Sequence, residues 1–438
     1  MKVLKFGGTS LGSAKRMKSV ADIVMQNAPV LVVLSAIAGT TDSLEKIAGW
    51  LKKGNTNEVV DAISQLRIDY HNFISELYQS EENRTEAKAF VESHFKEIID
   101  LSVETATLAT EYHILAKGEV ISTELFYLLL REQNKSSCLL SSLDFLRLTQ
   151  ESIPDEIFLK QELNRILASH SNQQVYIAQG FICRNAFGEL SNLKRGGSDY
   201  SASLFAAAID SEELQIWTDI DGMHNNDPRH IENTKPIKEL TFDEAAELAY
   251  FGAKILHPSS IKPARKKNIP VKLLNTMNPE ADGTLISSNS SGKRVKSVAA
   301  KDGITAIKIR SSEMLQAPGF LRRVFEVFEL YHTSIDVITT SEVAVSVTID
   351  DVTNLSQIIE TLNEFGTVEV DENLSIICVV GEGLVENTGV AAGIVSALKN
   401  VSLRMISFGG SAHNITLLVS EELKVKALQL LHRELFDV

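Results

Sequence analysis

Residues Lys2 to Leu34 read KVLKFGGTSLGSAKRMKSVADIVMQNAPVLVVL, and the order of patterns within them decides the fold class. Val3 to Phe6 is a short apolar run stopped by Gly7-Gly8. Ala14 to Gln26 sets Met17, Val20, Ile23 and Val24 at helical spacing, which gives the helix one apolar face. Pro29 ends that helix. Val30 to Leu34 is apolar throughout, as a strand covered on both faces must be. Strand, helix and strand at this spacing form the βαβ unit of a parallel sheet.

Working outward, Asn55 to Gln133 is rich in Glu, Leu, Ala and Ile, poor in glycine and free of proline. It is too long for a simple crossover and reads as a helical subdomain. Ser136 to Leu140, Val175 to Ala178, Leu214 to Thr218 and Val271 to Leu274 read as further strands. Leu159 to Ala168 and Phe242 to Phe251 read as helices. Phe181 to Leu190 reads as a hairpin turning at Asn185 to Gly188. Ser287 to Val295 (SSNSSGKRV) has linker composition, so a first domain spans 1–290 and a second 291–438. Beyond the linker a weak repeat of about 70 residues appears, the length of a βαββαβ module. Gly319-Phe320-Leu321, a helix, Thr333 to Ile338 and Val343 to Ile349 form one copy. Gly389, a helix to Leu398, Val401 to Ile406 and Ile415 to Val419 form the other. The modules are placed at about 300–371 and 372–438, with interleaving allowed.

The 438 residues carry a net charge of −14, which argues against a nucleic-acid or anionic-membrane surface. Three scattered cysteines form no CxxC pair and suit a reducing cytoplasm. The ten histidines make no HExxH and no ligand cluster, so no tightly held metal is expected. No apolar run reaches membrane-span length.

Two glycine turns carry chemistry. Lys5-Phe6-Gly7-Gly8-Thr9-Ser10 leaves a strand and enters a helix, where backbone N–H groups attract a phosphate and Lys5 adds a charge. Arg195-Gly196-Gly197-Ser198-Asp199 joins a cation, bare backbone and a carboxylate before a second helix. For either turn the plain alternative is a capped helix start. Thr218-Asp219-Ile220-Asp221-Gly222 ends a strand, where parallel sheets bind ligands. Lys254, in FGAKILHP at Phe251 to Pro258, is within reach of a phosphate or of its own helix's C-terminal dipole; His257 reads as structural. Gly118, in Lys117-Gly118-Glu119, costs a helix about 1 kcal/mol against alanine, so it is expected near a helix start with Glu119 in the first turn.

KFGGTS, LVVLSAIAGTTD at Leu31 to Asp42, KGE, RGGSDY, TDIDG, DPR at Asp227 to Arg229 and FGAKILHP occur in an order that resembles the aspartate kinase family. The resemblance covers nearly the whole chain. It implies an α/β amino-acid-kinase fold, an αβα sandwich on a mainly parallel sheet, followed by two ferredoxin-like ACT modules. It also implies a cytoplasmic enzyme that uses ATP and Mg²⁺ to phosphorylate the β-carboxylate of L-aspartate, opening lysine, threonine and methionine biosynthesis. On the matching positions, Lys5, Gly7 and Gly8 would hold the β- and γ-phosphates. Thr218, Asp219, His224, Arg229 and Lys254 would line the nucleotide pocket, His224 standing where the family often has Tyr. Thr41, Glu119 and Arg195 would hold aspartate, with Ser35 and Ser198 beside them, and Asp199 would position Lys5.

The C-terminal repeat resembles lysine-inhibited members of that family. Met314, Gly319, Phe320, Leu321, Ser334, Ile335, Asp336, Thr340 and Ser341 would form an effector site for L-lysine, with Asp336 on the effector's α-ammonium. Ala317 departs from a frequent Ser. Such modules pair across subunits, so a homodimer or dimer of dimers is expected. The chain stops at Val438, which leaves no room for a fused dehydrogenase. Two other readings stay open: a kinase for a different amino acid, and an amino-acid sensor with an inactive kinase domain.

Overall fold

The computed structural model describes residues 1–101, 107–193, 196–252, 256–289, 292, 295–311 and 319–436. Arg195, Lys254, Met314 and Ala317 lie outside the described residues. The chain packs as two units, Met1–Met223 with Leu256–Asn289, and His224–Ile255 with Ser290–Val438. Residues 224–255 therefore group with the C-terminal part, a division that a single cut at the linker does not anticipate.

The first unit begins with β1 (Lys2–Phe6), α1 (Ala14–Gln26) and β2 (Val30–Leu34). Every residue of β2 is buried. Ser13 caps α1 by accepting a hydrogen bond from the Arg16 N–H, and Met17, Val20, Ile23 and Val24 are buried as their spacing requires. Each such side chain is worth about 2 kcal/mol on burial. Next come α2 (Thr40–Lys52) and three long helices, α3 (Thr56–Leu77), α4 (Glu81–Leu101) and α5 (Leu108–Glu132). These helices pack on one another. Their core is built from Val59, Ile63, Leu66, Tyr70, Ile74 and Leu77 of α3 and Ala87, Val91, Phe95 and Ile98 of α4.

The chain continues through β3 (Ser137–Leu139), α6 (Glu156–Ser169), β4 (Val175–Gln179), the hairpin β5 (Ile182–Arg184) and β6 (Leu190–Asn192), α7 (Gly197–Ala208) and β7 (Leu214–Thr218). In the second unit's inserted segment lie β8 (Glu239–Thr241) and α8 (Phe242–Tyr250), and the first unit resumes with α9 (Lys262–Lys266), β9 (Val271–Asn275) and β10 (Thr284–Ser287). Within the first unit the sheet runs β3-β4-β2-β1-β7-β9-β10. All its neighbours are parallel except β9 and β10. The turns that carry Gly7-Gly8, Ser35 and Asp219 leave this sheet at the C-terminal ends of β1, β2 and β7, whereas the second glycine turn follows β6 of the separate hairpin.

The rest of the second unit is β11 (Ser297–Arg310), α10 (Phe320–Leu330), β12 (Ile338–Thr340), β13 (Ala344–Ile349), α11 (Leu355–Asn363), β14 (Thr367–Val380), α12 (Val390–Ala397), β15 (Met405–Phe408), β16 (Asn414–Ser420) and α13 (Lys424–Phe436). The strands form one antiparallel sheet, β12-β13-β11-β14-β16-β15. Its two long central strands pair with each other along their length, Ser297 to Lys301 of β11 with Ile376 to Val380 of β14 and Ile304 to Arg310 with Leu374 to Thr367. Each has a second partner over only one half: Thr305 to Arg310 of β11 also pairs with β13, and Leu374 to Val380 of β14 also pairs with β16. The second βαββαβ module is thus completed by the strand that precedes the first module. Each module has its own core, one around Phe320, Val324 and Phe328, the other around Leu384, Ile394 and Leu428.

Candidate functional site

β1 delivers Lys5 and ends at Phe6, whose ring stacks on Trp217 of β7 at 5.8 Å between centroids. The chain then makes a tight turn. The Gly7 N–H donates to the Trp217 carbonyl at 3.2 Å, and the Ala38 N–H donates to the Gly8 carbonyl at 3.2 Å. A Cβ on Gly8 would stand 2.9 Å from the Ala36 carbonyl oxygen, so only glycine lets these two loops touch. With the Gly7 N–H committed to β7, the turn's anion-attracting capacity falls on Lys5 and on the amides beyond it.

The second glycine turn reaches the same place. Gly196 has φ +74°, the left-handed conformation that favours glycine, and precedes the first turn of α7. A Cβ on Gly197 would meet the Phe181 ring at 2.5 Å. A Cβ on Gly180 would meet the Ser198 side chain at 2.6 Å, and the Gly180 N–H bonds the Leu34 carbonyl at 3.0 Å. Ser198 is therefore packed against Gly180, the residue that follows β4. One residue on, Asp199 Oδ1 lies 2.7 Å from Lys5 Nζ, and both side chains are nearly buried. The two turns meet at this ion pair.

Glu119 does not begin a helix. Gly118 and Glu119 sit in the middle of α5, which starts at Leu108 under a Thr107 cap. The helix tolerates glycine there because a Cβ on Gly118 would strike the Ala36 Cβ at 2.7 Å. Close approach, not helix initiation, explains the residue. Glu119 is buried, and its Oε1 accepts the Ala36 N–H at 3.2 Å. Burial pushes the carboxyl up to about 8, against the opposing pull of the Ala36 amide and the Lys5 charge. The fold thus favours its protonated form.

Ser35 continues the same loop: its N–H donates to the Phe6 carbonyl, and its carbonyl accepts the Ser122 hydroxyl at 2.7 Å. Thr41 lies exposed in the first turn of α2. Its neighbour Thr40 is buried and pairs with the Tyr70 hydroxyl at 2.9 Å. Sequence reasoning passed over both members of this pair. A buried Tyr at an otherwise aliphatic helix position is the signal that could have found it. Between α2, α3 and the loop is a cavity of about 330 Å³ lined by Ile37, Ala38, Thr40, Ser43, Asp69 and Tyr70.

At the end of β7 the Thr218 hydroxyl donates to Asp219 Oδ1 at 3.1 Å, and Asp219 is exposed. Gly222, at φ +104°, packs against Thr284, whose hydroxyl accepts the Met223 N–H at 2.9 Å. His257 caps a short turn by accepting the Ser259 N–H, and its Cβ lies where a Gly196 side chain would be, a structural role. His224 and Arg229 belong to the second unit. There the His224 ring bonds Thr234 at 2.9 Å, and Arg229 pairs with Asp227 at 2.7 Å. Among the described residues no group of three or more His, Cys, Asp and Glu side chains is placed to hold a metal ion. No helix among them is long and apolar enough to cross a membrane.

In the second unit, Gly319 (φ +97°) precedes α10, and Leu321 is exposed. Phe320 belongs to the module core, its ring against Phe365, and the partly buried Ile335 packs against that core. Ser334 and Thr340 are exposed, and the Ser341 N–H closes a turn onto the Ala344 carbonyl at 2.8 Å. The Asp336 side chain is buried and bonded to Lys301 and Tyr250.

The amino acid kinase family model matches residues 1–275, and the ACT domain model matches residues 377–435. Lysine-sensitive aspartokinase 3 of Escherichia coli K12 is 34% identical, over 99% of each chain. The structure superposes on E. coli aspartokinase III in complex with aspartate and ADP with a TM-score of 0.86 at 33% identity, covering all of both chains. Against the same enzyme in complex with lysine and aspartate the TM-score is 0.82, covering all of this chain and 99% of that one.

Proposed function

Since the chain belongs to the amino acid kinase family and, within it, to the aspartate kinases, we propose that its two glycine turns hold MgATP against L-aspartate and that Lys5 carries the transfer. The reaction gives 4-phospho-L-aspartate. The observation that carries this reading is the ion pair of Lys5 and Asp199 at the point where both turns meet.

The nucleophile, a β-carboxylate, is already ionised at neutral pH and needs no general base. The difficulty is bringing an anion to a polyanion. Lys5 supplies positive charge where it develops on the transferring phosphoryl group, and Asp199 fixes the ammonium in place. Glu119 takes the α-ammonium of aspartate, and Arg195 its α-carboxylate, with Thr41, Ser35 and Ser198 around them. Thr218 and Asp219 would line the nucleotide pocket; His224, Arg229 and Lys254 are assigned to the nucleotide by the resemblance alone. The available donors are hard oxygens, and Asp199 is already paired. This fits Mg²⁺ carried by the phosphates with few protein ligands. When bound, the ion neutralises the β- and γ-oxygens.

Feedback by L-lysine at Asp336 and its neighbours, pairing of ACT modules in a homodimer or dimer of dimers, and a cytoplasmic setting complete the proposal. The test is ATP turnover with L-aspartate and Mg²⁺, trapping the acyl phosphate as a hydroxamate, with and without L-lysine or L-threonine. Hydroxamate formed only with aspartate and suppressed by lysine is the expected result. A folded, ATP-binding chain that yields none would sink the reading.

A further inference from the structure

Asp336 is a buried carboxylate that already has an occupant. Its side chain is 1% exposed. Lys301, from β11, places Nζ 2.8 Å from Asp336 Oδ1 and 2.8 Å from Asp350 Oδ2, just past β13. The same ammonium lies 5.0 Å from the centroid of the Tyr250 ring, and the Tyr250 hydroxyl donates to Asp336 Oδ1 at 3.0 Å. Asp336 Oδ2 has no hydrogen-bond partner among the described residues. A carboxylate this buried needs a cation. Here it shares one with a second carboxylate, and one of its oxygens goes without.

Tyr250 is the last residue of α8, and the helix is held at two points. Three residues earlier, Glu247 accepts hydrogen bonds from Ser411 at 2.8 Å and Asn414 at 2.6 Å in the second module. Two residues later, Gly252 (φ +133°) runs so close to β11 that a Cβ would lie 2.0 Å from the Ala300 carbonyl oxygen. One stretch of chain thus touches both modules. It then continues directly into the segment that carries Lys254.

We propose that Lys301 is a built-in stand-in for the effector: its ammonium holds Asp336 when no effector is present, competes with the ammonium of an amino-acid effector for that carboxylate, and its displacement frees Tyr250 at the end of α8. The proposal rests on the feedback reading above and adds to it the competing group and the element that registers the exchange. Lys301 acts as a competitor rather than as a receptor for the ligand's carboxylate. It already faces two carboxylates, and a third anion would meet Asp336 and Asp350 as well.

The test is calorimetric titration of L-lysine into the full chain, with inhibition of aspartate-dependent turnover measured in parallel. Lys301→Met should bind lysine roughly tenfold more tightly than wild type, as expected when a charge-assisted competitor is removed. Lys301→Arg should bind like wild type. Asp350→Asn leaves Lys301 to Asp336 alone and should weaken lysine binding; it carries the test if Lys301→Met does not fold. Tyr250→Phe should keep lysine binding while half-maximal inhibition moves to higher lysine. Binding that appears only in Lys301→Met would support the proposal outright. Equal or weaker binding by a folded Lys301→Met, with wild-type inhibition intact, overturns the competition and leaves feedback standing. No binding to either protein, with turnover intact, overturns both.

Discussion

Gly118 and Ala36 meet without room for a methyl group between them: a Cβ on Gly118 would lie 2.7 Å from the Ala36 Cβ. This contact lowers α5 onto the loop after β2 and brings the next residue, Glu119, within bonding distance of the Ala36 amide. Gly118→Ala should push helix and loop apart. We expect a loss of about 1–3 kcal/mol in stability, the usual cost of overpacking. The KM for aspartate should rise more than the KM for ATP. Thermal melting and a two-substrate kinetic matrix check both; an unchanged aspartate KM would detach this contact from substrate binding.

Lys5→Met removes the charge at the meeting point of the two turns. Turnover should fall by roughly two to three orders of magnitude, the scale for losing one preorganised electrostatic group. Asp199→Asn keeps the ammonium but loosens it, so kcat should fall less. Steady-state rates and circular dichroism on both variants decide the matter. Near-normal turnover in Lys5→Met would remove the residue from the reaction.

Burial raises the Glu119 carboxyl from 4.5 to about 8, so its protonated form is the one the fold prefers. Its contribution to stability is complete below the unfolded value near 4.5 and is lost as pH rises through about 8. The ammonium of aspartate needs the ionised form. Aspartate binding should therefore release a proton, and its KM should fall as pH rises toward about 8. Glu119→Gln should weaken binding and flatten that dependence. A wild-type KM that is flat across this range would contradict the assignment.

Tyr70→Phe deletes only the hydroxyl bonded to Thr40. Both groups are buried, so leaving the Thr40 hydroxyl without its partner should cost about 1–3 kcal/mol. If the pair also steadies the loop from Ser35 to Thr41, the aspartate KM rises with kcat nearly unchanged. Thr40→Val with Tyr70→Phe, which removes both polar partners, should recover part of the stability.

The sequence patterns made the first unit's central strands and the two glycine turns readable, because each is local. An apolar run, a glycine pair and a cation sit within a few residues of one another. Glu119 was misplaced within its helix for the opposite reason. Helix propensity argues against glycine mid-helix, and the contact that overrides it comes from Ala36, far away in sequence. β8 and β10 are three and four residues long, too short for a periodicity to show. β11 and β14, at 14 residues each, were hidden differently. Each serves two modules, so its burial pattern changes halfway, and in β11 the polar stretch Lys301-Asp302-Gly303 looks like a turn. Lys301 and Tyr250 were missed because neither stands in a motif; only the fold sets them against Asp336.

The sharing of β11 and β14 by both modules also governs how this protein can be made. Ser297 to Lys301 leaves the ribosome roughly 80 residues before Val380, its partner in the ladder. At translation rates of about 5–20 residues per second that strand waits about 4–16 seconds with an open edge. The last module cannot finish folding while the chain grows, and a gene fragment that starts after Gly303 encodes it with a strand missing. Inheritance of the two modules is therefore joint: neither can be duplicated, swapped or lost by a single cut between them.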